Sequence, residues 1–162
     1  MTVTRVDKDF DNLNLLLVAD FDAPVERVWQ LWADPRQLEL WWGPPTYPAT
    51  VEDHDLTPGG RVSYFMTSPE GEKYRGWWQV TSVDPPKSLE FTDGFADQDG
   101  KPNLEMPISR VHMQLVEHDG GTRMEVRSAF ESREDMERLV VSMEMEEGLR
   151  LSVGQMDALL AA

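Results

Sequence analysis

Apolar and polar positions change period twice along the chain. Leu13, Leu15, Leu17, Ala19 and Phe21 alternate and predict a first strand that is apolar on one face, while Leu16 and Val18 predict partial cover of the other. At Asp22-Ala23-Pro24 the spacing becomes helical, with Pro near the first helical position and Glu26 in the first turn. Val25, Val28, Trp29 and Trp32 then share one helix face. Asp34-Pro35 ends that helix and opens a second, carrying Leu38 and Trp41, before Gly43-Pro44-Pro45 stops it. From Thr50 to Phe130 the period is two. The predicted strands are Thr50–Asp55, Arg61–Thr67, Lys73–Asp84, Ser88–Asp93, Arg110–Glu117 and Thr122–Phe130. Pro58-Gly59-Gly60, Pro69-Glu70-Gly71, Asp84-Pro85-Pro86 and Asp119-Gly120-Gly121 punctuate them, and such short connections favour antiparallel neighbours. Gly94 to Ile108 is longer and contains Phe95, Leu104, Met106 and Ile108, which suggests a lid or gate.

Ser132 opens the last element as an N-cap, with Asp135 three residues on. Met136, Leu139, Val140 and Met143, then Met145, Leu149, Val153, Met156 and Leu160, follow at helical spacing. Unbroken, this helix rises roughly 40 Å. Gly148 and Gly154 inside it each cost about 1 kcal/mol relative to Ala, which predicts a close approach or a bend. A sheet with an apolar inner face must be covered, and the terminal helix is the long amphipathic element available to cover it. The expected fold is α+β of the helix-grip kind: a curved antiparallel sheet of about seven strands around a long C-terminal helix, in one domain spanning residues 1–162.

Composition narrows the function classes. With 30 acidic against 15 basic residues the net charge is −15, which disfavours nucleic acid and anionic membrane surfaces as partners. An apolar content of 40% with six Trp is too rich for a disordered acidic tail. Cysteine is absent, removing disulfides, thiol nucleophiles and Cys-ligated metal. No apolar segment follows a basic start at the N-terminus, and Leu15–Ala19 is far too short to span a bilayer, so the expected location is cytoplasmic.

The Trp residues fall in three pairs. Trp29 and Trp32 read as core, and Trp41 and Trp42 flank a Gly-Pro-Pro turn where they could form a cavity mouth. Trp77 and Trp78 must point to opposite faces of their strand. Tyr74, Gly76, Trp78 and Val80 form the more apolar set, so Trp78 is expected inward and Trp77 outward, where it could meet a protein partner or second subunit. The same alternation puts Val62, Tyr64, Met66, Leu89, Phe91, Val111, Met113, Leu115, Met124 and Val126 on the inner face. His54, His112 and His118 lack metal-ligand spacing, Asp97-Gln98-Asp99-Gly100 reads as a solvated turn, and neither metal nor cofactor is implied. Nucleophile and phosphate-loop motifs are absent. Asp53 and Asp55 share parity with Val51 and are the candidates for a buried acid–base carboxylate, with solvated edge positions the favoured reading of both.

Ala23-Pro24-Val25-Glu26-Arg27-Val28-Trp29, Asp34-Pro35, Trp41-Trp42-Gly43-Pro44, Gly59-Gly60, Gly76, Val83-Asp84-Pro85-Pro86, and the terminal Glu147-Gly148 and Gln155-Met156-Asp157-Ala158-Leu159-Leu160 occur in one order. In this the chain resembles the bacterial activator-of-Hsp90-ATPase-like family of the START/Bet v 1-like (SRPBCC) superfamily. The resemblance implies a cavity between sheet and long helix that takes apolar ligands, with Leu149 where many relatives carry Trp. On it rests an expected lining of Trp41, Trp42, Tyr64, Met66, Trp78, Phe91, Met113, Leu149 and Val153. Binding of a small hydrophobic or aromatic ligand is the leading expectation. A protein-interaction module working through the outer sheet near Trp77, as a homodimer or chaperone accessory, comes second. A cyclase- or dehydratase-like enzyme comes third and requires an ionisable group in the cavity.

Overall fold

The computed structural model describes residues 3–161. Eight antiparallel strands form one sheet: β1 (Val3–Asp9), β2 (Asn14–Phe21), β3 (Ala49–His54), β4 (Arg61–Thr67), β5 (Lys73–Asp84), β6 (Ser88–Phe95), β7 (Ser109–His118) and β8 (Gly121–Phe130). Their spatial order is β1-β2-β8-β7-β6-β5-β4-β3. The helices α1 (Val25–Ala33) and α2 (Pro35–Leu38) follow β2, and a C-terminal helical region covers the inner face. This is the expected helix-grip arrangement with one strand more than the apolar pattern suggested. The additional strand is β1, whose apolar residues Val3 and Val6 are three apart and so match no two-residue alternation. A bulge between Val3 and Arg5 lets them pair with Ala19 and Leu17, two positions on the same inner face of β2. Arg5 and Asp7 face outward there and keep this edge polar. They also flank Val18 and Leu16, with Glu125 and Arg127 on the other side, and these long side chains cover the second apolar row of β2.

The inner face is as the alternation predicts. Val62, Leu89, Phe91, Met113, Met124 and Trp78 are fully buried, with Val111, Leu115 and Val126 beside them. Helix α1 closes one end with Val25, Val28, Trp29, Leu31 and Trp32. Asp34 caps α2 by accepting a hydrogen bond from the Arg36 amide at 2.9 Å. A second cluster, Leu15, Phe130, Met136, Leu139 and Val140, fills the opposite end.

The C-terminal region departs from the expectation of one unbroken helix. Ser132 caps α3 (Arg133–Met136) by accepting from the Asp135 amide at 3.1 Å. The chain then widens into a π-helical segment, Glu137–Ser142, and breaks at Met143–Glu144, where Glu144 takes a left-handed conformation with φ of 54°. It resumes as α4 (Met145–Gly154) and turns again into α5 (Met156–Ala161). Gly154 ends α4, and Gln155, itself in right-handed helical conformation, separates it from α5; a Cβ added to Gly154 meets nothing within 4 Å. Gly148 is neither bent nor closely approached: a Cβ added to it meets nothing within 4 Å. Among the described residues no helix is long and apolar enough to cross a membrane.

Candidate functional site

A cavity of about 270 Å³ opens between the two hydrophobic clusters, where the C-terminal region breaks over the sheet. Strand β4 contributes Tyr64 and Met66, β6 contributes Asp93, Gly94 and Phe95, and Pro107 and Ser109 come from the start of β7 and the residues before it. Trp42 and Pro44 come from the chain after α2. The helical side supplies Leu139, Met143, Glu144, Met145, Gly148, Leu149 and Ser152. Gly148, one turn beyond the break, presents helix backbone without a side chain to the void.

An aromatic block forms the wall under α1. Trp78 stacks on Phe91 with centroids 3.9 Å apart, Trp42 meets Trp78 edge-on at 4.9 Å, and Trp32 meets Trp41 at 4.7 Å. The Trp41 indole donates to the Leu31 carbonyl at 2.8 Å. Among the described residues, the buried indole N–H groups of Trp32, Trp42 and Trp78 have no hydrogen-bond partner. Of the expected lining, Trp42, Tyr64, Met66 and Leu149 reach the cavity. Trp41, Trp78, Phe91, Met113 and Val153 do not: they are at most 1% exposed and form the packed layer beneath, because close aromatic stacking fills that end of the sheet. The gate expected over Gly94–Ile108 reaches the cavity only at its two ends. Asp97 folds the middle into a turn by accepting from the amides of Asp99 (2.9 Å) and Lys101 (3.0 Å), and Leu104 is 86% exposed.

The polar floor is a pair of side chains from different strands. Tyr64 donates its hydroxyl hydrogen bond to Asp93 Oδ1 at 3.1 Å. The two are not on adjacent strands, and the reach depends on Gly76 of β5, which sits opposite Tyr64. A Cβ on Gly76 would lie 2.4 Å from the Tyr64 ring, so only glycine lets the ring lie across β5 towards β6. Burial pushes the Asp93 carboxyl up to about 7, against the opposing hydrogen bonds from Tyr64 and the Gly94 amide. Burial, and then the neighbouring Asp93 charge, hold the Tyr64 hydroxyl well above its ordinary value.

Asp93 replaces Asp53 and Asp55 as the carboxylate of the cavity. A bulge between Val51 and Asp53 turns Asp53 to the side of Ser63, whose hydroxyl donates to it at 2.6 Å, and Asp55 is exposed beside Thr57. Asp93 is the last residue of the strand predicted from Ser88 and shares parity with Leu89 and Phe91, and that alternation is the signal that points it inward. The bulge brings His54 instead to the end of α1, its Nε2 lying 3.1 Å from the Trp32 carbonyl oxygen. His112 and His118 each pair loosely with a single carboxylate, and no group of three or more metal-ligating side chains occurs among the described residues. Trp77 does lie on the outer face, but it is folded onto Gly94, donates to the Phe95 carbonyl at 2.9 Å and is 9% exposed.

A curved antiparallel sheet gripping a C-terminal helical region around an aromatic-walled cavity defines a protein of the Bet v 1-like (SRPBCC) class. The chain belongs to the Activator of Hsp90 ATPase homolog 1-like protein family, whose model matches residues 22–161. Gln155 and Arg27 show why the family's segments go together. Gln155 Nε2 donates to the Gly43 carbonyl at 2.7 Å, and Arg27 Nη2 donates to the Leu159 carbonyl at 2.9 Å, tying the Trp-Trp-Gly-Pro turn and α1 to the C-terminal helices. The chain is similar to protein Ms6760 from Mycobacterium smegmatis, at 53% identity over 98% of this chain and 96% of that one, with a TM-score of 0.89. It is similar to a protein from Arthrobacter aurescens solved in solution, at 51% identity over 99% and 92% of the two chains, with a TM-score of 0.94. The AHSA1 protein from Silicibacter pomeroyi is 30% identical over 91% and 97%, with a TM-score of 0.73. No curated protein matches the chain. Domains of this fold commonly serve as ligand-binding or cyclase-like domains.

Proposed function

We propose that the protein binds a small, largely apolar or aromatic molecule in the cavity between the sheet and the C-terminal helices. The void itself supports this reading best: about 270 Å³ stands open beside Trp42, Tyr64, Met66 and Leu149, next to a closely stacked aromatic layer. Protein interiors leave few spaces larger than a water molecule, and here two departures from regular structure, a broken helix and a bare Gly148, keep one open. Removing apolar ligand surface from water yields about 25 cal/mol per Å², less the cost of immobilising the ligand.

Titration with a library of apolar and aromatic compounds, followed through Trp fluorescence, tests this, because Trp42 lines the cavity. Gly148→Leu is the accompanying variant. Its side chain enters open space without a clash at Cβ, so the protein should fold and bind at least about tenfold more weakly. No response from any compound, or binding indifferent to Gly148→Leu, would falsify the reading.

A second reading is favoured by Asp93, whose carboxyl titrates near neutrality inside the cavity and is suited to giving or taking a proton in cyclase- or dehydratase-type chemistry. Turnover of a bound compound that is lost in Asp93→Asn while binding persists supports it, and unchanged turnover rejects it. A protein-docking role around Trp77 has less behind it, since the indole is turned down onto the sheet.

A further inference from the structure

The chemistry of the lining distinguishes between possible occupants. Among the described residues two carboxylates belong to it, Asp93 on the floor and Glu144 at the mouth, and no Lys, Arg or His does. Asp93 lies between Trp78 and Ser109 on the neighbouring strands. Tyr64 is its one side-chain donor among the described residues, so acceptor capacity on the carboxylate is unused. Trp42 and Tyr64 both line the void and pack edge to face, with centroids 6.0 Å apart and planes at 84°, so a group placed beside Asp93 has this aromatic pair next to it. Aromatic faces attract cations, and a carboxylate amid them completes a cation site. An anionic head group would find two like charges and no base, inside a chain that already carries a net −15.

Resting on the reading of an apolar ligand cavity, we propose that the preferred ligand is an organic amine, its ammonium group against Asp93 beside Trp42 and Tyr64 and its apolar body along Met66, Leu139 and Leu149. Carboxylic acids of the same size are rejected. The raised pKa of Asp93, about 7, adds a signature. The ammonium stabilises the ionised carboxylate, so amine affinity rises with pH through this region while an aliphatic amine remains protonated. The groups facing Asp93 are few. Strand β4 presents Tyr64, which stays a hydroxyl in this range; Gly76 and Trp78 of β5 and Ser109 of β7 do not titrate; the helical side presents Glu144.

The test is calorimetric titration of the full chain with phenylbutylamine, phenylbutanol and phenylbutyrate, which share one apolar body. The amine should bind about tenfold more tightly than the alcohol near pH 8, and the acid most weakly. Amine affinity should fall between about pH 8.5 and about pH 5.5, with the alcohol unchanged. Asp93→Asn should bring amine and alcohol together and remove the pH dependence, Glu144→Gln should keep both, and Gly148→Leu should weaken all three compounds. Acid binding as tight as the amine, or an amine preference that survives Asp93→Asn, overturns the proposal, as does amine binding that Gly148→Leu leaves undiminished. Equal binding of amine and alcohol overturns it while the cavity reading stands; if none of the three binds, both fail. If Asp93→Asn does not fold, the pH dependence in the native protein decides.

Discussion

Asp93 and Tyr64 illustrate how a single glycine can set the chemistry of a site. Gly76 has no chemistry of its own, yet without its bare surface the Tyr64 ring could not cross β5 to hydrogen-bond Asp93 on the next strand. A carboxyl held in such a place carries a stability signature. Its folded value, near 7, lies above the ordinary value of 3.8, so the folded protein keeps a proton that the unfolded chain has lost. Stability therefore falls as pH rises from about 4 to about 7 and is level with respect to this group above that. The ceiling is about 4 kcal/mol, reduced to roughly 1–2 kcal/mol by water in the half-open cavity. Asp93→Asn should abolish the slope, gaining that much at pH 8 relative to its effect at pH 4, as measured by urea unfolding at the two pH values. Part of this residue-level picture was legible, since Leu89, Phe91 and Asp93 alternate onto one face. Asp53 and Asp55 are solvated, as the favoured reading of them has it, and a bulge beside Val51 with no signal in the sequence accounts for Asp53 by inverting the parity.

At the level of elements, the C-terminal region is the informative case. Its apolar row survives the interruption: Leu149 bridges the two clusters, and Val153 and Met156 are fully buried on the sheet side. Helical spacing thus identified the buried face on either side of the break but not at it, where Met143 is 44% exposed, and it said nothing about continuity. Glu144 in that conformation costs about 1–2 kcal/mol, and it sits at the cavity mouth, where strain and function commonly coincide. Glu144→Gly should relieve most of this cost and stabilise the protein by about 0.5–1 kcal/mol, read from a shifted denaturation midpoint. A destabilised variant would show instead that the exposed Glu144 side chain has contacts worth more than the strain.

For the molecule as a whole, the cavity is a consequence of having two hydrophobic clusters rather than one. One gathers under α1 around Trp32, Trp41 and Trp78; the other gathers under α3 and the π-helical segment around Phe130 and Met136. The void lies between them. The surrounding charge of −15 favours solubility and repels anions, and it also destabilises the compact state through self-repulsion. Raising sodium chloride from about 0.02 M to about 0.5 M should therefore raise the thermal midpoint by a few degrees. A midpoint that falls would mean that specific ion pairs outweigh the general repulsion.

By itself the sequence determined the order of elements from β2 onward, most of the inward side chains and the placing of six Trp, because these follow from local periodicity and from the handful of turn residues that interrupt it. Tertiary structure decided the rest. Which aromatics became solid wall and which became cavity surface depended on stacking between distant segments. Two bulges decided which carboxylates and valines faced inward, and one left-handed residue decided where the covering helix opened. Each involves a small local displacement with no pattern of its own in the chain, and its effect exists only once strands and helices are packed against one another.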